Sequence, residues 1–258
     1  MYQGFYNLTS GMLTQSRNLN VVSNNMANIQ TAGYKKDTMV SSTFQEEMLY
    51  RTGRRAKENR EELAVTSKIR TASRTYVDYE QGSMEPTEGI YDFAIQGRGF
   101  FCIQTEDGVR YTRDGSFSVD NQGYLVLNDQ GRVLGKNNRP IKIDNENFNV
   151  DNRGNITVEE TVRGKVRRTT LGSIRVVDFE NYENLHKEDN GMFSTDQNGR
   201  QVGNDTAIAW KCLERANVNM VDEMTNMMSS QRALQSAAQV LRLYDQVMGK
   251  SASEVGSL

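Results

Sequence analysis

The chain of 258 residues is poor in the groups that mark enzymes, disulfide scaffolds and membrane proteins. It carries one histidine, two cysteines and one tryptophan. His186 stands among Lys187, Glu188 and Asp189 with no orienting partner in view, so a solvated surface histidine is expected rather than a general base. Cys102 and Cys212 are far apart, form no CxxC, and are too few for a secreted scaffold. Apolar neighbours on each (Phe101 and Ile103; Trp210 and Leu213) predict two buried thiols. Trp210 stands near the C-terminal segment rather than in an aromatic cluster, so no sugar-binding platform is visible. No stretch approaches the roughly 18 apolar residues of a membrane span, and no membrane insertion is expected. Met1 to Asn7 offers neither a charged n-region nor a continuous apolar run, so either a cytosolic location or export without a cleaved signal is expected.

An excess of one charge is also missing. The 31 Lys and Arg residues face 33 Asp and Glu, for a net charge of −2, and the pI is near 5.7. A nucleic-acid partner would need a concentrated basic face, so none is expected. The one dense basic stretch, Arg51 to Arg60, contains Glu58 and runs into Glu61 and Glu62, as a solvated linker does. Hydrophobic residues are only 36 %, and the mean hydropathy is −0.68. Long polar stretches must therefore be solvated, or buried only in an assembly.

What is present is organised in zones. Phe5, Leu8, Met12, Gln15, Leu19, Val22, Met26 and Ile29 are spaced by alternating threes and fours, a heptad seam on one face of a helix. The other face is Asn, Ser, Gln and Thr, so this helix is marginal alone and needs packing. Gly33 is expected to end it in a left-handed cap. A second seam runs through Met220, Met224, Met227, Gln231, Leu234, Ala238, Leu241, Asp245 and Met248. Val221, Met228, Ala237 and Tyr244 widen that stripe, so the helix is expected to meet more than one neighbour. Asn217 or Asn219 is expected to cap its start and Gly249 to close it. The middle reads as short apolar runs (100–103, 124–127, 174–179) separated by Asp-Gly and Asn-x-Gly turns, with one hairpin across 116–126.

The expected fold class is therefore α+β, with N- and C-terminal helices packing as a coiled-coil-like core, together with a central antiparallel β domain. Expected boundaries are 1–44 for the N-terminal helix and arm, 45–88 for a charged connector, 89–206 for the β domain and 207–258 for the C-terminal helix. Two apolar helices at the chain ends can pair with each other and with copies of the chain, and a contact that does not close gives a filament or tube.

Chemistry is thin by comparison. Asp114, Asp120 and Asp129 resemble a glycosidase pair only in residue type, because each sits in a turn or at a strand end. Gly97-Arg98-Gly99 lacks the Lys-Ser/Thr of a phosphate loop, and Asp120 to Gly123 lacks the remaining ligands of a calcium loop. No catalytic residue, cofactor site or metal site is assigned, and the chain is read as non-enzymatic.

Three blocks carry a family resemblance. Asn24-Asn25-Met26-Ala27-Asn28, with Thr31, Gly33, Tyr34 and Lys35, resembles the first-helix signature of flagellar rod and hook proteins. Asp92 to Phe101 followed by Tyr111-Thr112-Arg113-Asp114-Gly115 resembles that family's central motif. Asn217-Val218-Asn219-Met220 and Gln231-Arg232-Ala233 resemble its C-terminal motif. The resemblance implies a structural subunit of the bacterial flagellar basal body, exported by the flagellar type III apparatus. Its implied partners are copies of itself and other rod or hook axial proteins. A hook-type axial protein and an oligomeric surface-binding β module are the alternative readings. Residues 45–75 are charged and almost free of glycine, which favours a proximal-type or Gram-positive rod protein, whereas Glu223-Met224 and Gln231 to Leu234 look like the distal type.

Overall fold

Both chain ends form the helices that the apolar spacing predicts: α1 spans Tyr2–Ala27 and α2 spans Met220–Val255. Asn219 caps α2, its Oδ1 accepting the Val221 N–H at 3.0 Å and its carbonyl the Glu223 N–H at 3.0 Å. The far boundaries differ from expectation. Helix α1 stops at Ala27 because a polar turn takes over: the Thr31 N–H donates to the Asn28 carbonyl at 3.1 Å and the Thr31 hydroxyl to Asn28 Oδ1 at 3.3 Å. Ile29, counted in the seam, thus lies beyond the helix. Helix α2 instead runs through Gly249, and the Ser251 and Ser253 hydroxyls bond back to the carbonyls of Val247 and Lys250.

The computed structural model describes residues 2–52, 60–128, 130–143, 147–162, 165–188, 190–202 and 206–255. Most of the basic stretch at 51–60, together with Asp129 and Asp189, lies outside them. The chain divides into two units. The helical unit comprises Met1–Ala27, Asp37–Asp78 and Asn219–Leu258; the β unit comprises Asn28–Lys36 and Tyr79–Val218.

In the helical unit, strands β1 (Asp37–Thr52) and β2 (Arg60–Val77) pair antiparallel from Asp37 opposite Val77 to Thr52 opposite Arg60. The stretch read as a charged connector is thus largely paired strand. Its Thr, Val and Ser content suits strands.

The β unit begins with β3 (Met84–Pro86), β4 (Phe93–Gln96), β5 (Phe100–Thr105) and β6 (Gly108–Thr112). The expected hairpin follows as β7 (Phe117–Val119) and β8 (Leu125–Leu127), paired antiparallel. Its turn is closed by Asp120 Oδ1, which accepts the N–H groups of Gln122 and Tyr124, each at 2.8 Å. Then come β9 (Gly131–Val133), β10 (Phe148–Val150), β11 (Asn155–Val162), β12 (Lys165–Ser173) and β13 (Val176–Asp178). After short strands at 186–187, 193–194 and 200–201, the chain leaves through Ala207–Trp210, paired with β4, and Cys212–Glu214, paired with β3. These two pairs, each a separate two-stranded sheet, carry strand structure beyond the 89–206 boundaries drawn from sequence. The core is one apolar cluster that includes Phe93, Phe101, Phe117, Leu125, Ile156 and Ile174. Cys102 is buried in this region and Cys212 only half-buried, so one of the two expected buried thiols is found. Burial pushes the Cys102 thiol up to about 12, which leaves it protonated and inert. His186 is exposed.

Candidate assembly interface

In the helical unit α1 and α2 run antiparallel. The Asn18 amide donates to Ser230 Oγ at 3.0 Å and the Asn25 amide to Glu223 Oε2 at 3.4 Å, so ascending positions on one helix meet descending ones on the other. Farther along, Phe5 and Leu8 line a small apolar pocket with Leu241 and Tyr244. The inward line of α2 is therefore Glu223, Met227, Ser230, Leu234, Ala237, Leu241 and Tyr244, the residues buried or half-buried. It shares Met227, Leu234 and Leu241 with the apolar count, and Ala238 is half-buried beside it. Met220, Met224, Gln231, Asp245 and Met248 stand exposed. The count slipped because it admitted apolar residues first, whereas Asn18 and Asn25 draw Glu223 and Ser230 inward.

Along α1, Val22 is buried, Leu8, Met12, Leu19 and Met26 are half-buried, and Phe5 is exposed. Asn25 explains its place in the sequence motif. Its amide donates to the Asp37 carbonyl at 2.8 Å and its Oδ1 accepts the Asp37 N–H at 2.9 Å, which fixes the start of β1 on α1. Asn24, Ala27 and Arg232 are exposed, as are Thr31 and Asn219 outside their turn and cap bonds.

A second junction, which the sequence reading missed, lies in the β unit and joins all three sequence blocks. Lys35, Arg113 and Glu214 are 1 %, 4 % and 1 % exposed. Lys35 Nζ lies 2.7 Å from Glu214 Oε1 and donates to the Glu80 carbonyl at 2.7 Å. Arg113 Nη1 lies 3.2 Å from Glu214 Oε2, and its Nη2 donates to the Gly97 carbonyl at 2.8 Å. The Gly82 N–H completes the carboxylate's shell at 3.0 Å. Around this cluster the Gly33 N–H donates to the Glu214 carbonyl at 2.7 Å, and Asn217 accepts the Lys36 N–H at 2.7 Å while donating to the Glu80 carbonyl at 3.2 Å. Gly33 has φ +66, and a Cβ there would come within 2.2 Å of the Arg113 backbone carbon. Both the conformation and the close approach require glycine. Half-buried Ile29, Asn28 and Val218 flank the junction in sequence. Charges of opposite sign in or beside the three blocks, Lys35, Arg113 and Glu214, were the available signal.

Among the described residues no group of three or more His, Cys, Asp or Glu is placed to hold a metal ion. Among the described residues no helix is long and apolar enough to cross a membrane. Burial raises the carboxyl pKa of Asp114, against the hydrogen bonds from Ser116 that lower it. That carboxylate accepts the Ser116 N–H and hydroxyl at 2.9 and 2.7 Å, a turn-closing role.

Comparison with known proteins gives consistent matches along the chain. Residues 5–35 match a family described as flagella basal body rod protein. Residues 94–158 match the flagellar hook protein FlgE/F/G D1 domain, and 211–254 the flagellar basal body rod FlgEFG protein C-terminal family. The flagellar basal-body rod protein FlgG of Buchnera aphidicola subsp. Schizaphis graminum is 30 % identical over 256 residues, covering 93 % of this chain and 95 % of its own. The flagellar hook-basal body complex protein FlhO of Bacillus subtilis is 29 % identical over the full length of both chains. The flagellar basal-body rod protein FlgF of Caulobacter vibrioides is 32 % identical, covering 90 % of this chain and 89 % of its own.

Proposed function

Given that the chain belongs to the flagellar basal-body rod protein family, which is related to the hook protein, we propose that it polymerises through α1 and α2 and carries its β unit as an appended body. It is a structural subunit of the flagellar basal-body rod, and this family is not an enzyme class. Its partners are other rod and hook proteins of the flagellum. Passage through the type III export apparatus, without nucleic-acid contact or membrane insertion, belongs to the same proposal.

The observation that carries it is apolar surface on the helices. Val221, Met224, Met228, Val240, Leu243 and Val247 are exposed on α2, as are Tyr6 and Leu13 on α1. So much exposed apolar surface on one helix pair marks an interaction site. A glycan-binding reading has no comparable support, since Trp210 is half-buried, donates to the Ile90 carbonyl at 2.8 Å and packs near Phe148.

The test is Leu234→Asp, which sets a carboxylate on the face α2 turns toward α1, or removal of 219–258, which leaves Lys35 and Glu214 in place. Either change, in the only copy a cell carries, should abolish rods. Normal rods in both would refute the proposal.

A further inference from the structure

We propose that Asn198 is a modification site, where the side chain cyclises onto the backbone nitrogen of Gly199 and opens to aspartate and isoaspartate. This goes beyond the structural role of the chain and does not depend on it. Asparagine is thermally labile, and its loss depends on the peptide nitrogen that follows it. Glycine in that place has no Cβ to shield the nitrogen. The chain holds two such pairs, Asn190-Gly191 and Asn198-Gly199.

The fold treats the two pairs differently. The Gly191 N–H donates to the Glu188 carbonyl at 3.0 Å, so that nitrogen is engaged. Among the described residues the Gly199 N–H and the Asn198 side chain make no hydrogen bond. The register explains why. The Val202 N–H donates to the Val176 carbonyl at 3.2 Å, and Arg200 lies opposite Asp178. Alternation along an antiparallel ladder then turns the Gly199 N–H away from β13. Asn198 is exposed, so water reaches its side chain. Packing keeps the glycine in place. A Cβ at 199 would stand 3.0 Å from Val177 Cβ and 3.1 Å from a ring carbon of Phe179. Both of these side chains are buried, and a close-packed interior yields little. The core therefore demands the one neighbour that leaves Asn198 most reactive.

The steps need only water. The Gly199 nitrogen gives up its proton and attacks Cγ of Asn198, the Cγ–Nδ2 bond breaks, and ammonia leaves. Water then opens the resulting succinimide, and nothing is oxidised or reduced. Attack at Cγ restores the peptide link and leaves aspartate. Attack at the main-chain carbonyl carbon leaves the chain running through Cγ, as isoaspartate with one more carbon in the backbone. That added length falls directly before Gly199, which lies against Val177 and Phe179. The pairing of Arg200 and Val202 with β13 should loosen in consequence.

The test keeps the purified full-length chain in warm neutral buffer and maps tryptic peptide 188–200, which contains both asparagines. Mass-spectrometric fragmentation reads each site separately. In the folded chain Asn198 should convert about fivefold faster than Asn190, the factor set by one net hydrogen bond. In denaturant the two rates should converge. Equal rates in the folded chain, or a faster Asn190, overturn the assignment. Hydrogen exchange reads the consequence. The amides of Arg200 and Val202 should exchange faster after ageing, and an equally aged Asn198→Ser chain should keep its protection. Freshly made Asn198→Asp adds the charge without the extra carbon and should keep it too. Unchanged exchange in a chain rich in isoaspartate overturns the loosened edge. Loosening in fresh Asn198→Asp overturns the backbone cause and assigns the effect to charge.

Discussion

The β unit and the helical unit treat their apolar residues in opposite ways. In the β unit Phe93, Ile95, Phe101, Ile103, Leu125, Ile156 and Ile174 are essentially sealed from solvent, and even the charges Lys35, Arg113 and Glu214 are buried in mutual contact. In the helical unit the described core is sparse. Val22 is its one fully buried large apolar side chain among the described residues, while the closest helix-to-helix bonds are made by Asn18, Asn25, Ser230 and Glu223. One unit has satisfied its hydrophobic surface within the chain and the other has kept it outward. The difference separates a unit with a closed apolar core from one whose helices leave apolar side chains uncovered within the chain.

The largest test of that contrast is Glu214→Ala. Removing the carboxylate takes from two buried cations the counter-charge they share, and breaking a buried pair in this way costs about 3–5 kcal/mol. Denaturant unfolding followed by Trp210 fluorescence should show that loss, and an unchanged midpoint would break the account of the junction. Next comes a matched pair of leucines. Leu125→Ala should destabilise the monomer by about 2–5 kcal/mol, since Leu125 is fully buried. Leu243→Ala, at an exposed site, should stay within about 0.5 kcal/mol. Equal losses at both sites would erase the distinction between the units. The smallest effect concerns Asp120, whose carboxyl is held below the usual range by the Tyr124 N–H first, then by the Gln122 N–H and Arg132. Its folded pKa is depressed, so its contribution is present above about pH 4 and lost as pH falls through the folded value. Asp120→Asn should therefore be slightly less stable near neutrality and converge with the parent in acid; a constant gap down to pH 2 would count against that cause.

Much of the plan was legible from local signals. Alternating threes and fours of apolar residues gave both helices, Asn217 and Asn219 gave two candidates for the cap, of which Asn219 fills it, and Asp120 to Gly123 gave the hairpin of β7 and β8. What escaped was decided by distant partners. Asn28 and Thr31 end α1 early through bonds to each other, which an apolar count does not register. β1 and β2 carry mixed charge without a clear period, and only their mutual register makes them strands. Lys35, Arg113 and Glu214 look like ordinary surface charges until three far-apart segments converge. The inward line of α2 differs from the predicted seam for the same reason: polar residues recruited by α1 occupy positions that periodicity reserves for apolar ones.

The Lys35–Glu214 pair also sets a clock. Its members are 179 residues apart in the chain. At about 5–20 residues per second, a ribosome needs roughly 10–35 s after making Lys35 before Glu214 exists. Contacts of such long sequence separation are slow to form. During that interval Lys35 has no buried carboxylate to enter and the peptide around Gly33 has no strand to dock on. Stalled chains ending near residue 205 should accordingly be cut by protease around residue 35, and chains released at full length should be protected there. The newly made polypeptide stays open at its beginning until its end has almost been synthesised.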